Sequence, residues 1–92
     1  MLRHHLHETH PAIIKRLKRA AGHLNTIISM IENERSCVEL AQQLHAVENA
    51  VANAKKTLIH DHIDHCLELQ ANSSATSAKD ALLEFKQISK YL

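Results

Sequence analysis

No glycine or proline interrupts the 34 residues from Cys37 to Gln70. An unbroken stretch of that length reads as one helix, long for a small protein. The same stretch carries the only two cysteines, Cys37 and Cys66, with His62 four residues before the second. Cys37 precedes His62 by 25 residues and Cys66 by 29. At 3.6 residues per turn these intervals are about 6.9 and 8.1 turns, so all three side chains share one helix face. His62 and Cys66 are adjacent on that face and can hold one metal ion together. Cys37 lies roughly 37 Å away along a straight axis, at ~1.5 Å per residue, and cannot reach them. An antiparallel partner helix would bring its own Cys37 beside them. The spacing therefore predicts a metal site shared between two subunits, with a two-fold axis near residues 50 to 52.

The chain has 92 residues, enough for one small domain with a thin core, so oligomerisation is an expected source of stability. Alanine, leucine and isoleucine dominate, and Phe85 and Tyr91 are the only aromatic residues. That composition predicts an all-α fold. No apolar run is long enough to span a membrane and no signal-peptide core is visible, so the expectation is a cytoplasmic protein without a membrane partner. Two cysteines in that compartment suit metal ligation or thiol chemistry better than a disulfide.

The first eight residues, MLRHHLHE, read as a flexible His-rich arm, and residues 9–92 as a single domain. Three helices are expected, over about 10–33, 37–70 and 77–91. Thr9 or His10 caps the first, and Pro11 fits its first turn. Its apolar stripe is Ile13, Leu17, Ala20, Ala21, Leu24, Ile27, Ile28 and Ile31. Ser36 followed by Glu39 three residues later is a capping-box pattern that starts the second helix at Cys37, where the positive helix end favours a thiolate. Ala46, Ala50 and Ala54 recur every four residues near the deduced symmetry point and are small enough for a close helix approach. After the polar run 72–77, Ala81, Leu82, Phe85 and Ile88 give the third helix one apolar face.

A lone His-x-x-x-Cys pair is as readily a chance histidine beside a structural cysteine. The phase match with Cys37, and the nearby His60 and His65, favour ligation. Thiolate and imidazole donors select transition metals: Ni(II) or Cu(II) in tetragonal sites, Cu(I) or Zn(II) where sulfur dominates. His65 reads as a surface residue, an alternative ligand or a supporting group. His4, His5, His7 and His10 cannot be separated by periodicity, and His23 and His45 read as polar-face or packing residues. Residues 1–31 carry five Lys or Arg against Glu8, a net +4 that leaves −3 for the rest. Lys15, Arg16, Lys18 and Arg19 can form a phosphate-binding strip, repeated in a two-fold assembly to suit a symmetric duplex, although a charge run is more often a solvated face. No helix-turn-helix, zinc-finger, phosphate-loop or nucleophile–base pattern occurs, so neither an enzyme nor a small-molecule substrate is expected.

With the KRLKRAAGHL opening of the first helix, the Cys37 start of the second, the segment QQLHAVENAVANAKKTLIHDHIDHC and a short terminal helix, the chain resembles the CsoR/RcnR family of metal- and stress-sensing transcriptional repressors over essentially its whole length. The resemblance implies antiparallel dimers that pair into disc-shaped homotetramers and bind double-stranded operator DNA. It implies metal ligation by Cys37 of one protomer and by His62 and Cys66 of the other. A fourth family position, 32 residues before the first cysteine, is His5 here. The resulting His-Cys-His-Cys set resembles the family's nickel sensors, with Ni(II) in a planar two-sulfur, two-nitrogen site. Cu(I), in a trigonal site without His5, ranks second, and Zn(II) or Co(II) are further options.

Cuprous members place a Tyr before the first cysteine and a Glu 45 residues after it. Here those positions are Ser36 and Leu82, with Glu84 out of register, which argues against copper. Met1-Leu2 and Cys66 argue against a formaldehyde sensor, and His62 against a persulfide sensor. The resemblance carries the DNA surface to Arg16, Lys18 and Arg19. A further basic position of several members falls near Glu48, with Lys55 and Lys56 as candidates to compensate. The expected function is a repressor that binds its operator in the apo form and is released by metal, controlling a metal exporter. The contrasting readings are a metal buffer that does not bind DNA, and a thiol-based electrophile sensor acting through Cys37.

Overall fold

The computed structural model describes residues 9–72 and 75–92, with the side chains of Cys66, 69–72 and 75–78 outside the description. The expected His-rich arm, residues 1–8, lies outside it as well. The described chain is helical with no strand: α1 spans His10–Glu32, α2 Cys37–Asn72 and α3 Ala75–Ser89. The first two starts match the expectation from sequence, while α2 runs two residues further and α3 begins two earlier.

Two compact units divide the described chain, His10–Lys55 and a second made of Thr9 with Lys56–Leu92. In the first, α1 buries Ile13, Ala20 and Ile27, and α2 buries Val47 and Ala54. Each set repeats every seven residues, two turns, so each helix offers one narrow line to this core. His23 Nε2 lies 2.5 Å from Gln43 Oε1, a partly buried bond joining α1 to α2. In the second unit the buried residues, among those described, are Ile59 and Ala81.

The reversal between α1 and α2 is a Schellman motif. Arg35 N–H donates to the Met30 carbonyl and Glu34 N–H to the Ile31 carbonyl, both at 3.0 Å. Glu34 occupies the left-handed position with φ 57°, where glycine is usual. Ser36 then caps α2 by accepting the Glu39 N–H at 3.2 Å. The Glu39 carboxylate completes only part of the expected box: it accepts the Ser36 hydroxyl at 3.3 Å and pairs with the Arg35 guanidinium. The hydrogen bond from Arg35 holds the Glu39 carboxyl below its usual range. The pair therefore supports the start of α2 at neutral pH and is lost as pH falls through the lowered range.

Two packing expectations need correction. The α1 stripe splits: Ile13, Ala20 and Ile27 are buried, but Leu17, Leu24, Ile28 and Ile31 are exposed beside them. The Ala46, Ala50, Ala54 line splits as well. Ala54 is 2% exposed in the core of its own chain, and Ala46 is exposed. The reason is angular. At about 100° per residue, Ala46 points nearly opposite to Cys37, whereas Leu44, Val51 and His62 fall within about 40° of it. The large apolar residues left open on α2, among the described residues, are Val38, Leu44, Val51, Leu58 and Leu67; Leu44, Val51 and Leu58 lie on the Cys37 side. Fourteen large apolar side chains are exposed among the described residues, against four that are buried, Ile13, Ile27, Val47 and Ile59. Apolar exposure on this scale marks an interaction surface.

Candidate metal centre

Cys37 is the first residue of α2 and its thiol is exposed. The Ser36 cap fixes that position, since it takes the Glu39 N–H and starts the helix at Cys37. His62 lies on the same uninterrupted helix, as the interval arithmetic requires. The backbone of Cys66 is helical, which keeps it one turn beyond His62, while its side chain lies outside the description. His5 lies outside the described residues altogether. Among the described residues, no three His, Cys, Asp or Glu side chains are gathered closely enough to hold a metal ion.

Sequence reasoning missed what surrounds His62. Its imidazole is 25% exposed, and Nε2 lies 2.9 Å from Oε1 of Glu84 on α3. Counting along the chain put Glu84 two residues out of register, but the packing of α3 decides the approach, and Glu84 reaches the ring. Leu82, at the counted position, is 44% exposed. A carboxylate on the far nitrogen fixes the tautomer of a ligating histidine and makes it more basic. His65 sits one turn on, its ring centroid 6.4 Å from that of His62. Asp61, beside His62 in sequence, accepts the Thr9 hydroxyl at 2.8 Å. The donor set suits a thiophilic transition metal: an exposed thiol at a helix start, and an imidazole already oriented by a carboxylate.

On α1 the basic residues share one sector. Lys15, Arg16, Lys18 and Arg19 are all exposed. They cover about 160° of the helix on the side away from Leu17, Leu24 and Ile28. A solvated, like-charged arc of this kind can lie along a phosphate backbone without disturbing the apolar sector.

Residues 9–90 match the family described as metal-sensitive transcriptional repressor. The chain belongs to that family. It is 34% identical over 80 residues to the copper-sensing transcriptional repressor CsoR of Bacillus subtilis, covering 85% of this chain and 79% of that protein. It is 38% identical over 63 residues to CsoR of Mycobacterium ulcerans, covering 68% of this chain and 54% of the relative. The chain thus spans about half the length of that mycobacterial relative. Among solved structures, the nickel-responsive transcriptional regulator InrS superposes with a TM-score of 0.80 at 25% identity, over 95% of this chain and 96% of InrS. The sequence relatives are thus named for copper and the structural neighbour for nickel. No helix among the described residues is long and apolar enough to cross a membrane.

Proposed function

We propose that this chain is a cytoplasmic, homotetrameric repressor that binds operator DNA without metal and leaves it when nickel binds between subunits. Cys37 of one chain, with His62 and Cys66 of the partner subunit and an N-terminal His5, would hold the ion. The observation that carries this reading is a coincidence of faces. The line of α2 that bears Cys37 and His62 is also the line on which Leu44 and Val51 stand open to solvent. A second helix covering the apolar residues would cover the ligands too.

Arg16, Lys18 and Arg19 would contact the duplex mainly through phosphates, with sequence read through shape. The Thr9–Asp61 hydrogen bond offers a route between the two functions. Asp61 adjoins His62, and Thr9 immediately precedes the helix that carries the basic arc. A shift of His62 on binding would be felt at the start of α1. Coupling of this kind is worth ~1–3 kcal/mol per effector.

Subunit complementation tests the shared site. Chains with Cys37→Ala and with His62→Ala each lose metal-induced release from DNA. Mixed assemblies of the two regain one complete site in every heterodimer, and hence partial release. A site within one chain would regain nothing. Copper is the second reading, favoured by the Glu84 carboxylate on His62 and by the CsoR relatives. Nickel bound by thiolates gives charge-transfer bands in the near ultraviolet and visible, whereas closed-shell Cu(I) leaves the visible region blank.

A further inference from the structure

In the His10–Lys55 unit, α2 leaves an open groove lined by Ala41, Leu44, Val51 and Ala52, with Glu48 and Lys55 set among them. Leu44 and Val51 are each almost half exposed. The Glu48 side chain is 80% exposed, with His45 Nδ1 at 3.7 Å, and Lys55 is exposed. An acid and a base two helical turns apart on an apolar line are costly in a helix–helix seam unless each meets an opposite charge.

Their placement matches that of the ligands. Cys37 stands eleven residues before Glu48, and Cys66 eleven after Lys55. Any antiparallel pairing that sets Cys37 against the partner subunit's Cys66 therefore sets Glu48 against the partner subunit's Lys55, with the dyad beside Val51. Pairing Cys37 with the partner subunit's His62 differs by a single turn. Helical side chains lean toward their own N-terminus, so in that second register Glu48 and the partner subunit's Lys55 lean toward each other across the one-turn offset. Other registers are penalised. A slip of one heptad sets Glu48 against Glu48 of the partner subunit, or Lys55 against Lys55 of the partner subunit. A parallel pairing in register opposes like charges at both positions.

We infer that Glu48 and Lys55 form two symmetric ion pairs with a second copy of this chain, and that these pairs select the register in which the metal-binding residues meet. The inference rests on the shared-site reading and names what aligns it. The groove is self-complementary: each copy supplies the acid that the other's lysine needs.

The test uses the full chain carrying Glu48→Lys, Lys55→Glu, or both, with association followed by sedimentation equilibrium and native mass spectrometry. Each single change opposes like charges across the dyad and should weaken self-association by roughly tenfold or more. The double variant restores opposite charges and should return to within about threefold of the unaltered chain. Mixing the two single variants should give heteromeric assemblies well above the statistical share, because both pairs are attractive only in the mixture. Even if a single variant cannot fold alone, its rescue by the other is readable. A double variant no tighter than the singles, or a purely statistical mixture, would overturn the inference while leaving the shared site standing. An unaltered chain that stays monomeric would overturn both.

Discussion

Glu84→Ala should weaken metal binding while leaving the apo protein's affinity for DNA unchanged. The structure supplies the magnitude. Glu84 Oε1 lies 2.9 Å from His62 Nε2, and the two side chains are 54% and 25% exposed. With Nε2–H donating to the carboxylate, the neutral ring carries its lone pair on Nδ1, the nitrogen then presented to a metal. Removing such a partner from a ligating histidine costs ~10–100-fold in affinity. Because more than half of the carboxylate is exposed, water replaces part of the missing hydrogen bond. The expected loss is therefore at the low end, about tenfold or ~1.4 kcal/mol. Glu84→Gln keeps an acceptor without the charge and should fall between. The assay is competition for nickel, and separately for Cu(I), against a chelator of known affinity, with DNA binding of the apo protein as the control. An unchanged affinity would show that Glu84 does not orient the ligand. A tighter affinity would show that Glu84 competes with the metal for Nε2, so that Nδ1 is not the ligating nitrogen.

Three further predictions concern coupling, electrostatics and backbone strain. Thr9→Val removes the hydroxyl given to Asp61; metal affinity should hold within about twofold while the metal-induced drop in DNA affinity shrinks by ~1 kcal/mol, read by fluorescence anisotropy with and without metal. If the full drop survives, the hydrogen bond is no part of the route. Arg19→Ala should weaken DNA binding and lower the slope of log affinity against log salt by about 1 for each phosphate that the arginine neutralises, and an unchanged slope would remove Arg19 from the interface. Glu34→Gly, at φ 57°, should raise thermal stability by ~0.5–1 kcal/mol, since glycine adopts that backbone without a Cβ penalty. A lowered melting temperature in denaturation followed by circular dichroism would count against the cap as described.

The helices and the starts of the first two were legible in the residues because they depend on neighbours along the chain. Ser36 caps Cys37 through a bond spanning three residues, and an unbroken α2 follows from the absence of glycine and proline. The alignment of Cys37, His62 and Cys66 on one helix is likewise a matter of counting at a fixed pitch. What the tertiary structure alone decided is which apolar residues are used up within the chain and which stay open. Periodicity marked eight apolar positions on α1 as a single stripe, but only the Ile13, Ala20, Ile27 line is buried. The same packing turned Ala54 inward and left Val51 open to solvent. It also brought Glu84 to His62 and Thr9 to Asp61, across 22 and 52 residues of chain. A helix's repeat is set by its own backbone, whereas the rotation at which it meets its neighbours depends on side-chain volumes on every facing element, and no single segment carries that information.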